Sequence, residues 1–219
     1  KGVNNRPPLK VFRSAGFIEI DGQETEWSEV PKHKMRVEID LGFELDNKFD
    51  LSSYFKMLWD DNHLYVFAKI LDEEINTAAD QLFEKDGFEI YIDGNNSKTE
   101  ADYNTPSGPP AAYGNNTDFF RYIPGETQAL AAWGIIDAST FESVIYFTED
   151  GYNVETKIPF SSFPDFPANA GHLFGLEFQT NDNDNDQRQQ LVKWWSDNDF
   201  SYLDPSVFGT AVLFKATAE

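Results

Sequence analysis

The chain has 219 residues, 40% of them hydrophobic and 16% aromatic, with 20 phenylalanines and no cysteine. That length and apolar content suit a packed core, and the missing cysteine removes any disulfide framework, thiol nucleophile or thiolate metal site. With 17 basic and 38 acidic residues the net charge is −21, which argues against phosphate backbones and anionic membranes as partners and leaves neutral ligands and divalent cations. No run approaches the roughly 20 apolar residues of a membrane-spanning helix. The first residue is Lys1 rather than Met, so the chain reads as a mature protein or a piece of a longer one.

Short alternating runs separated by turns fill the chain. Residues 1–16 read as an N-terminal extension. Phe17 to Ile20 then predicts a strand ended by Asp21-Gly22, and Thr25-Glu26-Trp27 predicts a short helical turn. Phe55, Met57 and Trp59 alternate with Lys56 and Leu58. After an Asp60-Asp61-Asn62-His63 turn, Leu64, Val66, Ala68 and Ile70 alternate with Tyr65, Phe67 and Lys69. This spacing predicts a hairpin with one buried face on each strand. Phe88, Ile90 and Ile92 alternate with Glu89, Tyr91 and Asp93 before Gly94-Asn95-Asn96. The stretch 94–117 carries Pro106, Pro109 and Pro110 and reads as a long loop. Strands follow at Phe119 to Ile123 and Gln128 to Trp133. A second hairpin joins Val144–Thr148 to Tyr152–Ile158 through Asp150-Gly151, a dipeptide suited to such turns. Later strands cover Leu173–Thr180, Leu191–Trp195 and Thr210–Phe214. The chain is thus predicted to be one all-β domain, a sandwich or barrel of roughly ten antiparallel strands.

Several catalytic signatures are absent: no Gly-x-Ser-x-Gly, no His-Glu-x-x-His and no phosphate-cradling glycine loop. The three histidines, His33, His63 and His172, do not suggest a hydrolytic triad. A pair of carboxylates at glycosidase spacing means little among 38 acids. The run Asn181-Asp182-Asn183-Asp184-Asn185-Asp186 offers hard oxygens suited to calcium, with Asp184 and Asp186 as candidate ligands. It lacks the glycine and distal glutamate of an EF-hand, so a solvated loop is the competing reading. Phe83 and Tyr202 lie in loop-like surroundings, where a large ring has less reason to be core. Such rings stack on the C–H faces of sugars, although either could simply pack.

The residues now quoted resemble, in order, the family 9 carbohydrate-binding modules found attached to xylanases and related secreted bacterial enzymes. The likeness is carried by Ile20-Asp21-Gly22 with Trp27; Leu58-Trp59-Asp60 with Leu64-Tyr65-Val66; Asp86 with Phe88 to Asp93; Gly151-Tyr152 with Glu155 and Ile158-Pro159; and Gln179 with Asn181-Asp182, Trp195-Ser196-Asp197, Asp204-Pro205 and Phe208-Gly209. The resemblance implies a sandwich of two antiparallel sheets, jelly-roll or immunoglobulin-like. It implies structural calcium and a sugar or glycan chain end held between two aromatic rings without chemistry. Phe83 and Tyr202 occupy the clamp positions, where the family typically has tryptophan. Glu89, Arg121, Gln179 and Asp182 occupy its polar positions, and Ile123 stands where the family has a polar residue. The expected ligand is a neutral, plant-type polysaccharide such as xylan or cellulose. The protein is expected to be monomeric, secreted or at a bacterial cell surface. The competing readings are a haem-binding electron-transfer sandwich using Met57 and His172, a glycoside hydrolase, or a structural domain that has lost its site.

Overall fold

Alternation with a period of two sends successive side chains to opposite faces of a strand, and this chain keeps that pattern for most of its length. In a computed structural model, residues 6–42, 50–100, 116–133 and 136–218 are described, with backbone alone at 40 and 131–133. Among them are thirteen strands: β1 Leu9–Arg13, β2 His33–Lys34, β3 Val37–Asp40, β4 Leu51–Trp59, β5 His63–Asp72, β6 Gly87–Asp93, β7 Thr117–Tyr122, β8 Leu130–Trp133, β9 Glu142–Thr148, β10 Gly151–Pro159, β11 Leu173–Asp182, β12 Gln190–Lys193 and β13 Gly209–Thr217. The hydrogen-bonded order is β8-β7-β6-β11-β13-β1-β4-β5-β10-β9, with β12 bridging β11 to β3 and β2 beside β4. Every pairing is antiparallel except those of β1, which runs parallel to β13 through Leu9–Val11 and to β4 through Phe12 and Arg13. β1 therefore stitches the two halves of the sandwich together.

The halves face each other across one core. Phe88, Ile90 and Ile92 of β6 and Phe174, Leu176 and Phe178 of β11 meet Phe55, Met57 and Trp59 of β4 and Leu64, Val66, Ala68 and Ile70 of β5. The ring centroids of Phe55 and Phe178 are 4.0 Å apart, and those of Phe88 and Phe178 stack at 5.5 Å. Burying one such side chain contributes about 1.5–3 kcal/mol. At the β9–β10 turn, Gly151 has φ +140°, and a Cβ there would lie 2.2 Å from the Ile70 carbonyl oxygen. This explains the Asp-Gly turn in the sequence.

Four expectations change. Residues 1–16 were expected as an extension, yet Leu9–Arg13 form β1. Phe17 to Ile20 does not form a strand, and Phe17 is 82% exposed. The β4–β5 hairpin is buried on both faces, because Ile18, Trp27 and Val30 cover Leu58, Tyr65 and Phe67. Most of the predicted loop 94–117, with its three prolines, lies outside the described residues. The proposed haem ligands serve the fold instead: Met57 is in the core, and the His172 Nε2 is 2.6 Å from the Gly94 carbonyl oxygen.

The covering segment is anchored by one carboxylate. Glu155 accepts the backbone N–H groups of Asp21 (3.0 Å) and Gly22 (2.7 Å) on Oε2 and the Trp27 indole N–H (2.8 Å) on Oε1. Burial raises its pKa in spite of these donors. Gly22, at φ +79°, sits so close to Tyr146 that a Cβ would meet its Cβ at 2.5 Å. This geometry accounts for the Ile20-Asp21-Gly22, Trp27 and Glu155 pattern. An orphaned buried donor costs about 1–3 kcal/mol. Glu155→Ala strands three, so urea unfolding should show a loss of about 3 kcal/mol or more; a loss below about 1 kcal/mol would mean the segment is held by something else.

Candidate functional site

The outward-facing residues of β12, β11, β6 and β7 fall into register. Lys193 pairs with Gln179, Gln179 with Glu89, and Glu89 with Arg121. One polar row therefore crosses four strands, while Phe178, Phe88 and Phe120, one position away on three of them, turn into the core. All four side chains of the row are buried, so their polar groups need partners. The Arg121 Nε donates to Glu89 Oε1 at 2.6 Å, the Asn181 Nδ2 to the same oxygen at 3.1 Å, and the Tyr91 hydroxyl to Glu89 Oε2. Burial alone would raise the Glu89 pKa; the Arg121 charge and the Tyr91 hydroxyl outweigh it and hold the carboxyl below its ordinary range. Burial likewise works against the Arg121 guanidinium, and the Glu89 charge reverses it.

Two exposed rings lie on loops around these strands. Phe83, in the short 3-10 turn Leu82–Glu84, is 43% exposed, and Tyr202 is 37% exposed. Both are surface residues, as the sequence suggests. The loops that carry them are tied together. Arg188 lies 5.9 Å from the Phe83 ring centroid, its Nη2 is 2.7 Å from Asp199 Oδ2, and its backbone N–H donates to Glu84 Oε2 at 3.4 Å. The Lys193 Nζ donates to Ser201 Oγ, beside Tyr202, at 2.8 Å.

The structure thus brings Glu89, Arg121 and Gln179 together, and Arg188 and Lys193 link the neighbouring loops of Phe83 and Tyr202. It does not bring Asp182 there. Gln179 and Asn181 face the row, so Asp182, one residue further along β11, points the other way. Its carboxylate gathers with those of Asp72 and Asp86, with one oxygen from each lying within 4.8 Å of the others. Asp72 Oδ2, Asp182 Oδ1 and Asn183 Oδ1 are buried without a hydrogen-bond partner. Asp86 accepts the backbone N–H groups of Asn76 (2.5 Å) and Asn183 (2.7 Å). Burial, reinforced by neighbouring carboxylates, drives the pKa of Asp72 to about 7, Asp182 to about 8 and Asp86 to about 9. A hard cation would reverse this, since opposite charge favours the ionised form. Orphaned buried oxygens in a carboxylate set are a donor set that fits calcium.

The two residues singled out for metal lie outside that cluster. Asp184 is half-buried and adds negative field to Asp72 and Asp182, while the exposed Asp186 accepts from the Asn76 side chain at 3.1 Å. The sequence reading missed Asp72 and Asp86 as an acid pair, Lys193 in the row, and Asn181 and Arg188 beside it. Strand alternation carries the signal for Asn181, which shares a face with Gln179. Asp72 shows as an acid closing an apolar strand.

Breaking a buried ion pair on one side costs about 3–5 kcal/mol, whereas replacing both partners with apolar groups is often near neutral. Arg121→Met should therefore destabilise by about 3 kcal/mol or more in urea. Adding Glu89→Met should recover much of that loss. Equal stability of the single and double variants would mean that the pair is not coupled.

A family model described as carbohydrate family 9 binding domain-like matches residues 20–216. The chain is 32% identical over 159 residues to an endo-1,4-beta-xylanase A of Thermoanaerobacterium saccharolyticum and 33% identical over 159 residues to exoglucanase XynX of Acetivibrio thermocellus. Each match covers 72% of this chain but only 12% and 13% of the relative. The chain therefore spans a small part of the length of these curated proteins. Among solved structures, a family 9 carbohydrate-binding module of Caldicellulosiruptor kristjanssonii in complex with cellotriose superposes with a TM-score of 0.75 at 24% identity, covering 94% of both chains. The module in complex with glucose gives the same score over 96% of this chain and 98% of that one. This likeness is one of fold.

Proposed function

The chain belongs to the family 9 carbohydrate-binding domains, and on that footing we propose that it binds a neutral sugar or glycan chain end, without chemistry of its own, over the row formed by Gln179, Glu89 and Arg121. The observation that carries the reading is the register-matched polar row beside two exposed rings, Phe83 and Tyr202. Sugars combine flat C–H faces with fixed hydroxyls. Rings supply the apolar contact, Glu89 accepts hydroxyl hydrogens, and the planar Arg121 fork donates to sugar oxygens. Glucose and β-1,4-linked gluco- or xylo-oligosaccharides are the ligands to try first, since cellotriose and glucose occupy the similar modules and two relatives are a xylanase and an exoglucanase. The same relatives support an extracellular role beside a glycoside hydrolase.

Calorimetric titration with glucose, cellotriose and xylotriose tests this reading. Losing one stacking face removes roughly 60–100 Å² of apolar contact, about 1.5–2.5 kcal/mol at about 25 cal/mol per Å². Phe83→Ala and Tyr202→Ala should each weaken binding about tenfold to seventyfold with unfolding unchanged. Tight binding that ignores both substitutions would place the sugar elsewhere.

The reading includes calcium at Asp72, Asp86 and Asp182 instead of at the sugar. Asp86 fixes the Asn183 backbone, and the Asn183 side chain donates to the Glu84 carbonyl beside Phe83. A cation there would hold the Phe83 loop through its ligands. Ligand at a hundredfold excess over Kd adds about 2.7 kcal/mol. EDTA should lower the melting temperature by several degrees, calcium should restore it, and Asp86→Asn should be insensitive to both. Identical melting curves with and without EDTA, together with no metal by elemental analysis, would remove calcium from the account.

A further inference from the structure

We infer that Lys193 is the positioning residue of this site: its buried ammonium holds the Gln179 side chain of the row and ties the loop that carries Tyr202 to it. The inference rests on the sugar-binding reading and adds a residue to it. A strand lysine ordinarily sends its charge to solvent, yet Lys193 is 0% exposed. Its Nζ donates to Gln179 Oε1 at 2.8 Å and to Ser201 Oγ at 2.8 Å, and it lies 5.6 Å from the Tyr91 ring centroid.

From this ammonium a chain of hydrogen bonds runs in one direction only. An ammonium can donate but not accept, and an ionised carboxylate can accept but not donate. Lys193 therefore requires the oxygen of Gln179. The Gln179 Nε2 then donates to Asn181 Oδ1 at 2.7 Å, and the Asn181 Nδ2 donates to Glu89 Oε1 at 3.1 Å, where Arg121 also donates. An amide nitrogen and oxygen look alike in shape, and only the partners at the two ends decide which way each amide is turned. Lys193 at one end and Glu89 at the other leave a single solution. Without the ammonium, Asn181 still holds the Gln179 nitrogen, but the Gln179 oxygen loses its charged donor and its tie to Ser201. The Ser201 bond extends the control to the loop that carries Tyr202, so one charge sets both the floor and one ring.

The experiment compares wild type, Lys193→Met and Ser201→Ala by cellotriose titration, with urea unfolding as the check on folding. Proton exchange at the side-chain amides of isotope-labelled protein is followed by NMR. Methionine keeps the length of the stem and removes the donor. Lys193→Met should bind at least about tenfold more weakly, in line with loss of a hydrogen bond to a charged group. Its Gln179 amide should exchange faster while Phe83-side resonances keep their positions. Ser201→Ala cuts only the loop tie and should lose less affinity without changing Gln179 exchange; it carries the test if Lys193→Met does not unfold cooperatively. Wild-type binding that Lys193→Met matches within about twofold, with Gln179 exchange unchanged, overturns the role of Lys193 and leaves the sugar reading intact. If Lys193→Met does not fold, Ser201→Ala binding at wild-type strength overturns it as well. A wild type that binds none of the sugars overturns both.

Discussion

β11 is a single strand whose two faces must satisfy opposite demands, and the rest of the site depends on how it does so. Phe174, Leu176 and Phe178 face the core, while Glu177, Gln179 and Asn181 face the other way. Because the period is two, a slip of one residue would bury the polar set in the core and expose the phenylalanines. The stack of Phe178 between Phe55 and Phe88 fixes that register on the core side. The Gln179–Glu89–Arg121 row on the other side is its consequence. Core packing thus sets the positions of the groups in the row, and rigid strands hold such groups better than loops do.

The two chemical features of the molecule meet at the end of the same strand. Asp182 closes β11 on the core side, where Asp72 and Asp86 complete a cluster of carboxylates that have lost water without gaining a counter-charge. The next residue, Asn183, reaches Glu84 in the turn that carries Phe83. Loop order around the ring and neutralisation of the acid cluster are therefore one problem. A cation that relieved the carboxylates would also stiffen the Asn183–Glu84 link and so the turn that carries Phe83.

The core hairpins were legible because alternation of apolar residues is a direct record of a half-buried strand. The fold class followed from alternation and motif order together, and the shared face of Glu89, Arg121 and Gln179 follows from strand alternation and pairing. Phe17–Ile20 misled because the two N–H groups that follow it pair with the Glu155 side chain, 134 positions away from Asp21, instead of with a strand. No local pattern records such a partner. β1, β2 and β3 are short pieces at seams and edges, with too few residues for a period to show. Asp182 was assigned to the sugar by its place in the family pattern; strict alternation from Gln179 turns it away. Lys193 stayed hidden because a lysine beside tryptophans reads as a solvent-facing strand residue, and its burial depends on the return of the Ser201 loop.

Charge is distributed unevenly for a reason that bears on the ligand. The whole chain carries −21, yet around the row each cation is set against an acid: Arg121 against Glu89 at 2.6 Å, Arg188 against Asp199 at 2.7 Å, and the Lys193 ammonium in the field of Glu177. Buried charges require such pairing, since an unpaired one costs several kcal/mol. A site balanced in this way exerts little net pull on an ion, while its oriented N–H groups and carboxylate oxygens still present strong local dipoles. The surrounding acidic surface, in turn, repels polyanions over about a Debye length, roughly 10 Å at 0.1 M salt. On the proposed reading, the arrangement would favour a ligand with many hydroxyls and no charge, because such a ligand would gain from the dipoles and the rings and lose nothing to the surface field.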